Sequence, residues 1–315
     1  MMPRMRSSPL APTLPMYPRL VLTIALLGTT SAGAQLPSKP DLLWEKMAAD
    51  VSSIASRFDG VMGVSILDLS DHRSLVVNGD QVFPTASTIK LPLLVELYRQ
   101  DQDGGGSGLL DHYTFDRADL VAGSEIMRGL SPGVSMVTNH DLAQFMVAVS
   151  DNSATNVLMG RVGMEKVNAM LRSHGLVQTR LRRRMMDLVA AQRGDENVAT
   201  PRELTRLLEL VAMGGVLKPA ATQALLEQLS TGKESYIPRL LPPSVRVANK
   251  PGSLDGVRVD AGIVYAAHRP FAIAVMTTMD RDERVAEDVV GRVALAAYRF
   301  FDMVGRTSPY GRVMP

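Results

Sequence analysis

The chain contains no cysteine. That excludes disulfides and thiolate metal sites, and it neither requires nor forbids export. Aromatic residues are scarce, at 5%, so the 19 methionines take over part of the packing. Neither sign of charge is in excess: 34 basic side chains stand against 32 acidic ones, which argues against a nucleic-acid footprint. The five histidines are scattered and never fall at a metal-ligand spacing such as His-x-x-x-His, so no metal and no cofactor is expected. The apolar run Leu20 to Leu27 is too short to span a bilayer. What is present is ample core material: hydrophobic residues make up 46% of 315, enough for one large or two modest domains.

Residues 1–34 read as a secretory signal. Arg4, Arg6 and Arg19 form a basic region, Leu20 to Leu27 an apolar core, and Ala32-Gly33-Ala34 a small-residue cleavage site before Gln35. The mature chain is then 35–315, secreted or periplasmic, without stable membrane insertion once the signal is cleaved. An uncleaved N-terminal anchor is the alternative. Monomer and dimer both stay open.

The stretch Phe83-Pro84-Thr85-Ala86-Ser87-Thr88-Ile89-Lys90-Leu91-Pro92 organises the rest. It reads as an extended segment followed by a buried helix starting at about Ser87 and ending near Arg99. Ser87 and Lys90, three apart, share one side of the first turn. A hydroxyl at a helix N-terminus beside a desolvated amine has the chemistry of a serine nucleophile activated without histidine. Ser-x-x-Lys alone is a weak pattern, ordinarily a helix cap and a solvated lysine. Here Lys90 is the sole cation in an apolar run, and a buried lysine needs a partner.

Helical spacing covers Leu42 to Phe58, and Met62 to Leu69 with Ser74 to Asn78 form a strand hairpin. The middle of the chain is helical. Thr138-x-x-Asp141 starts one helix as a capping box, and Thr200-Pro201-Arg202-Glu203 starts another. After Ser244 the pattern returns to strands, at Ala261 to Ala266 and Phe271 to Thr278, and closes with a helix from Val285 to Phe301. The fold class is therefore α+β. One antiparallel sheet is built from both chain ends (35–86 and 244–306) and flanked by helices, with a helical subdomain (87–243) inserted between them and a cleft where the parts meet.

Two further stretches belong with Ser87 and Lys90: Ser150-Asp151-Asn152 before a helix, and Lys250-Pro251-Gly252-Ser253 at the end or edge of a strand. Each alone is turn chemistry. Together and in this order, the three resemble the serine β-lactamase and penicillin-binding-protein superfamily, most closely its class A β-lactamase branch. The likeness runs over most of the mature chain and includes Phe83-Pro84, Ser-Asp-Asn-x-Ala-x-Asn, and the Asp-Glu-Arg start of the last helix. It implies that Ser87 becomes acylated by a β-lactam and that Lys90 is its base partner. Ser150 would relay a proton to the leaving nitrogen, Lys250 would hold Ser150 and the substrate carboxylate, and Asn152 the substrate's side-chain amide. The N–H groups of Ser87 and Ser253 would form the oxyanion hole, and Gly252 and Glu125 would stand with Asn152 and Ser253 among the substrate-binding residues. Ser253 and Arg258 could bind the substrate carboxylate, although Arg258 reads equally as a solvated turn arginine.

The resemblance breaks at two places. Where the family carries the glutamate that activates the deacylating water, this chain has Met185, and Val189 stands near the family's asparagine. A thioether accepts no proton at neutral pH. Pro251 replaces a threonine, removing a hydroxyl and an N–H. Asp187 and Glu125, the latter on Gly123-Ser124-Glu125 at the cleft rim, are the carboxylates that could substitute, though each reads first as exposed and arginine-paired. The arginines at 180–184 read as a solvated face paired with Asp195 or Glu196. The expected activity is slow β-lactam hydrolysis. The alternatives are a D-alanyl-D-alanine peptidase or small-ester hydrolase acting on cell-wall peptides, or a covalent penicillin-binding module.

Overall fold

The computed structural model describes residues 38–308 and 310–314, so the signal expected at 1–34 lies outside the described residues. The first helix, α1 (Lys39–Arg57), is opened by Ser38 in a capping box with Asp41, and it buries Trp44, Met47, Val51 and Ile54 at helical spacing. The hairpin β1 (Val61–Asp68) and β2 (Ser74–Val77) comes next, then the short β3 (Phe83–Pro84). The nucleophile stretch is a 3-10 turn, Ala86–Ile89, continuing into α2 (Lys90–Asp103).

A β pair, β4 (His112–Thr114) with β5 (Met136–Thr138), leads into α3 (Asn139–Ala148), α4 (Asn152–Val162), α5 (Met164–Ser173) and the short α6 (Leu188–Gln192). β6 (Val198–Ala199) pairs with β3. Next come α7 (Pro201–Ala212) and α8 (Pro219–Leu229). The chain ends in β7 (Val247–Leu254), β8 (Val257–Val264), β9 (Phe271–Thr278) and α9 (Glu283–Gly305).

The main sheet is antiparallel in the order β2-β1-β9-β8-β7, so the N-terminal hairpin joins the three C-terminal strands. Side chains alternate across it with period 2. Phe271, Ile273 and Val275 pack with α1 and α9, while Ala272, Ala274 and Met276 join the core of the helical side. α7 lies close on that second face: Ser65 Oγ and Thr205 Oγ1 are 2.7 Å apart in the interior.

Two capping expectations are met, with Thr138 and Asp141 forming a box at α3 and Thr200 capping α7 ahead of Pro201. Two local details differ from the sequence reading. Ser87 sits in a 3-10 turn rather than in the first turn of the α-helix, and Ala86 before it has φ +47°. β7 also runs unbroken through Lys250-Pro251-Gly252 to Leu254. Proline is tolerated there because β7 is an edge strand, paired on one side only.

Candidate active site

The edge strand β7 meets the nucleophile turn almost backbone to backbone. A Cβ at Gly252 would lie 2.7 Å from Ser87 N and 2.8 Å from Thr85 O. Only glycine permits that approach. Thr88 Oγ1 donates to Lys250 O at 3.1 Å and ties the turn to the strand.

Beside this junction opens a cleft of ≈ 960 Å³, lined among others by Ser87, Ser150, Lys250, Gly252, Ser253 and Arg258. Stretches separated in sequence by 63 and 100 residues thus share one cavity. Lys90, fully buried, reaches toward it from α2. Its Nζ donates to Ser150 O (2.6 Å), Ser150 Oγ (2.9 Å) and Asn152 Oδ1 (2.9 Å). Lys250, also buried, donates from Nζ to the same Ser150 Oγ (3.1 Å) and to Pro251 O (2.9 Å). One hydroxyl oxygen therefore serves two amines.

Ser150 can do this because of its backbone. It has φ +58°, a left-handed conformation costing about 1–3 kcal/mol for a residue with a Cβ. There its carbonyl and hydroxyl both face one ammonium. The next residue fixes that conformation: Asp151, wholly buried, caps α4 through Ala154 N and accepts Ile126 N and Met127 N. Asn152 donates to Ala122 O at 3.0 Å, so the 122–127 loop is stitched to α4.

Burial dominates the electrostatics. It holds Lys90 well below the usual lysine value, with the charge of Lys250 adding to the effect and Asp151 opposing it. Lys250 is lowered to about 7, by burial first and by Lys233, against an opposing pull from buried Asp260. The Ser87 hydroxyl is half-buried and makes no hydrogen bond among the described residues, so the direct Ser87–Lys90 contact expected from their spacing is not formed. In a 3-10 turn positions i and i+3 are eclipsed, which leaves the two side chains neighbours all the same.

The remaining expectations divide. Arg258 is not a solvated turn residue. It lies on β8, is 4% exposed, and is paired with Glu283 (2.5 Å) and Glu287 (3.5 Å) while donating to Leu254 O and Val257 O. Glu125 is exposed, pairs with Arg128 at 3.1 Å and does not line the cleft. Asp187 is exposed and caps α6 through Ala190 N. Met185 is buried in the core, and the Asn156 amide grips its backbone N and O. Within the arginine cluster, Arg183 is buried and bonded to Glu196.

Sequence reasoning missed Lys233, Tyr236 and Arg239, which also line the cleft, and buried Asp260, which accepts Tyr236 N. Asp260 was discoverable as a lone acid in the apolar run of β8. Lys233 carried no comparable signal.

The family model for the β-lactamase enzyme family matches residues 46–301. A β-lactamase from Proteus vulgaris is 29% identical over 252 residues, covering 76% of this chain and 81% of its own. A crystal structure of a β-lactamase from Sphaerobacter thermophilus superposes with a TM-score of 0.72 at 28% identity, over 81% of this chain and 97% of that one. A mutant of PBP-A, solved as an acyl-enzyme complex with penicillin-G, gives a TM-score of 0.74 at 26% identity, over 82% and 97%.

Proposed function

The chain belongs to the β-lactamase enzyme family, and from that membership we propose that it hydrolyses β-lactams through an acyl-enzyme on Ser87. Ser87 Oγ attacks the lactam carbonyl carbon and gives its proton to Lys90. The ring C–N bond then breaks, and Ser150 passes a proton to the departing nitrogen. The N–H groups of Ser87 and Ser253 receive the developing oxyanion. Water later cleaves the ester and regenerates Ser87.

The observation that carries this reading is the sharing of Ser150 Oγ by Lys90 and Lys250. Two ammonium ions so close in a dry interior repel, which favours Lys90 as the neutral member. A neutral amine has two N–H groups, so one of its three contacts is given up. Its lone pair is then available to the hydroxyl in the adjacent turn. Lys250 keeps the proton, and its charge orients Ser150 and the substrate.

Deacylation is the slow step. By the resemblance Met185 stands near the position of the water-activating glutamate; Glu125 is paired with Arg128, and Asp187 is committed to a helix cap. The same observation favours a second reading, a penicillin-binding protein whose acyl-enzyme is long-lived and whose natural substrate is a cell-wall peptide. We place the protein outside the cytoplasm on the strength of the leader-like residues 1–34. Among the described residues no helix is long and apolar enough to cross a membrane.

The test is to mix the protein with a chromogenic cephalosporin and follow colour and intact mass together. Sustained colour is the expected result. A single burst with a lasting adduct selects the second reading. Ser87→Ala loses both signals, and full activity in that variant refutes the nucleophile.

A further inference from the structure

We propose that Lys233, rather than Arg258, receives the anionic group of the substrate. The inference rests on the reading of Ser87 as the acylated residue and adds to it the cation that selects a negatively charged acyl donor.

The cations along the cleft are not equivalent. Arg258 and Arg239 are both spent. Arg258 is paired with Glu283 and Glu287, and Arg239 Nη1 donates to Glu287 at 2.6 Å. Two guanidinium groups and two carboxylates leave that end of the cavity without net charge. Lys90 and Lys250 make no salt bridge among the described residues, but they are 0% and 1% exposed and are engaged with Ser150.

Lys233 shares their lack of an ion pair but is neither fully buried nor engaged with Ser150. It lines the cleft, is only partly buried, and makes no salt bridge among the described residues. Its ammonium donates to Leu229 O (2.8 Å) and Thr231 O (2.6 Å), which closes the C-terminus of α8. An ammonium has three donors, so one is left for a ligand.

The wall that carries it is anchored. Asp260, fully buried on β8, accepts Tyr236 N and Ile237 N at 2.9 Å each and Asn249 Nδ2 at 2.8 and 2.9 Å. That carboxylate is committed to the scaffold. It acts on Lys233 only through space, supporting the charged form against burial, which lowers the amine to about 8. Exposed Glu234, next in the chain, forms no ion pair with it. Lys233 is thus a fixed cation facing the cavity that holds Ser87, with its charge uncompensated at close range.

A carboxylate on the acyl donor completes this arrangement, and a neutral ester of the same compound does not. The measurement compares benzylpenicillin with its methyl ester, reading kcat/KM for acylation of Ser87 by intact mass. Wild type favours the acid. In Lys233→Met the acid loses about tenfold to a hundredfold, as for a hydrogen bond to a charged group, and the ester changes little. Lys233→Gln retains a donor for the helix carbonyls without the charge and gives the same collapse of the acid/ester ratio, whereas Lys233→Arg preserves it. A ratio unchanged in both neutral variants overturns the assignment, as does an equal fall for acid and ester, which marks a purely structural cap. Absence of any adduct in wild type removes the acyl-enzyme reading and this inference with it.

Discussion

Gly252→Ala tests the geometry on which the site depends. The added Cβ would stand 2.7 Å from Ser87 N, 2.8 Å from Thr85 O and 2.9 Å from Thr88 N, where ordinary contact begins at 3.4 Å. All three neighbours are backbone atoms, so no side chain can swing aside. Strand and turn must separate by about 0.7 Å at the closest point, which strains the Thr88–Lys250 tie and displaces the oxyanion donors. Overpacking of this kind costs about 1–3 kcal/mol. A loss of about 2 kcal/mol lowers Tm by about 4–8 °C in a domain of this size. Misplacement on the order of 1 Å slows a reaction by about a hundredfold. Thermal unfolding and the rate of adduct formation with a cephalosporin measure the two effects separately. Gly105→Ala is the control, since nothing lies within 4 Å of its Cβ, and it leaves both unchanged. If Gly252→Ala acylates within twofold of wild type at an unaltered Tm, the close approach of β7 is not what positions Ser87.

Two further outcomes are expected. Met185→Glu supplies a base on a backbone already gripped by Asn156, so it shortens the lifetime of the acyl-enzyme by about 10²–10⁴-fold; an unchanged adduct lifetime by intact mass refutes the assignment of this position. The pH dependence of stability reports the buried charge of Lys250. Its folded value, about 7, lies below the ordinary lysine value of 10.5, so between these two the unfolded chain binds more protons and stability rises with pH. Urea midpoints at pH 7 and 9.5 should rise less in Lys250→Met than in wild type; identical increments would mean that Lys250 is not titrating there.

The legible parts of the fold were those written in local chemistry. Thr138 with Asp141 and Thr200 ahead of Pro201 each satisfy helix-end N–H groups within four residues, so sequence alone locates them, whereas helical spacing places the first helix from Leu42 and passes over the equivalent box of Ser38 with Asp41. The buried Lys90 was legible for a related reason, as a charge in an apolar run that had to find oxygen atoms. What sequence does not carry is long-range compensation. Nothing near Arg258 in the chain announces that Glu283 and Glu287 neutralise it from the start of α9. Nor does Lys-Pro-Gly show that a strand continues through it, because an edge strand's tolerance of proline depends on which strands stand beside it. The 3-10 turn at Ser87 is likewise set by tertiary contact. Thr85 bonds to Asn197 and Thr88 to Lys250, and between those anchors Ala86 adopts its left-handed φ.

The pair of lysines poses an energetic problem whose resolution is the chemistry itself. Their nitrogens flank one oxygen and so lie within about 6 Å of each other, where two unit charges repel by about 3 kcal/mol at an effective dielectric of about 20. That repulsion adds to the desolvation that each amine already bears. A second proton on the array is therefore expelled, while complete deprotonation is opposed by Asp151 near Lys90 and Asp260 near Lys250. Up to about pH 7 the array holds a single positive charge. Moving that charge takes two coupled proton transfers through Ser150, whose hydroxyl oxygen takes a proton from the ammonium while its own proton passes to the neutral amine. A serine hydroxyl entering such an array meets a base at one end and a proton source for the leaving group at the other. Breaking the array at Ser150 would isolate the two functions, so the loss in a Ser150→Ala variant would approach that of removing either lysine rather than add to it.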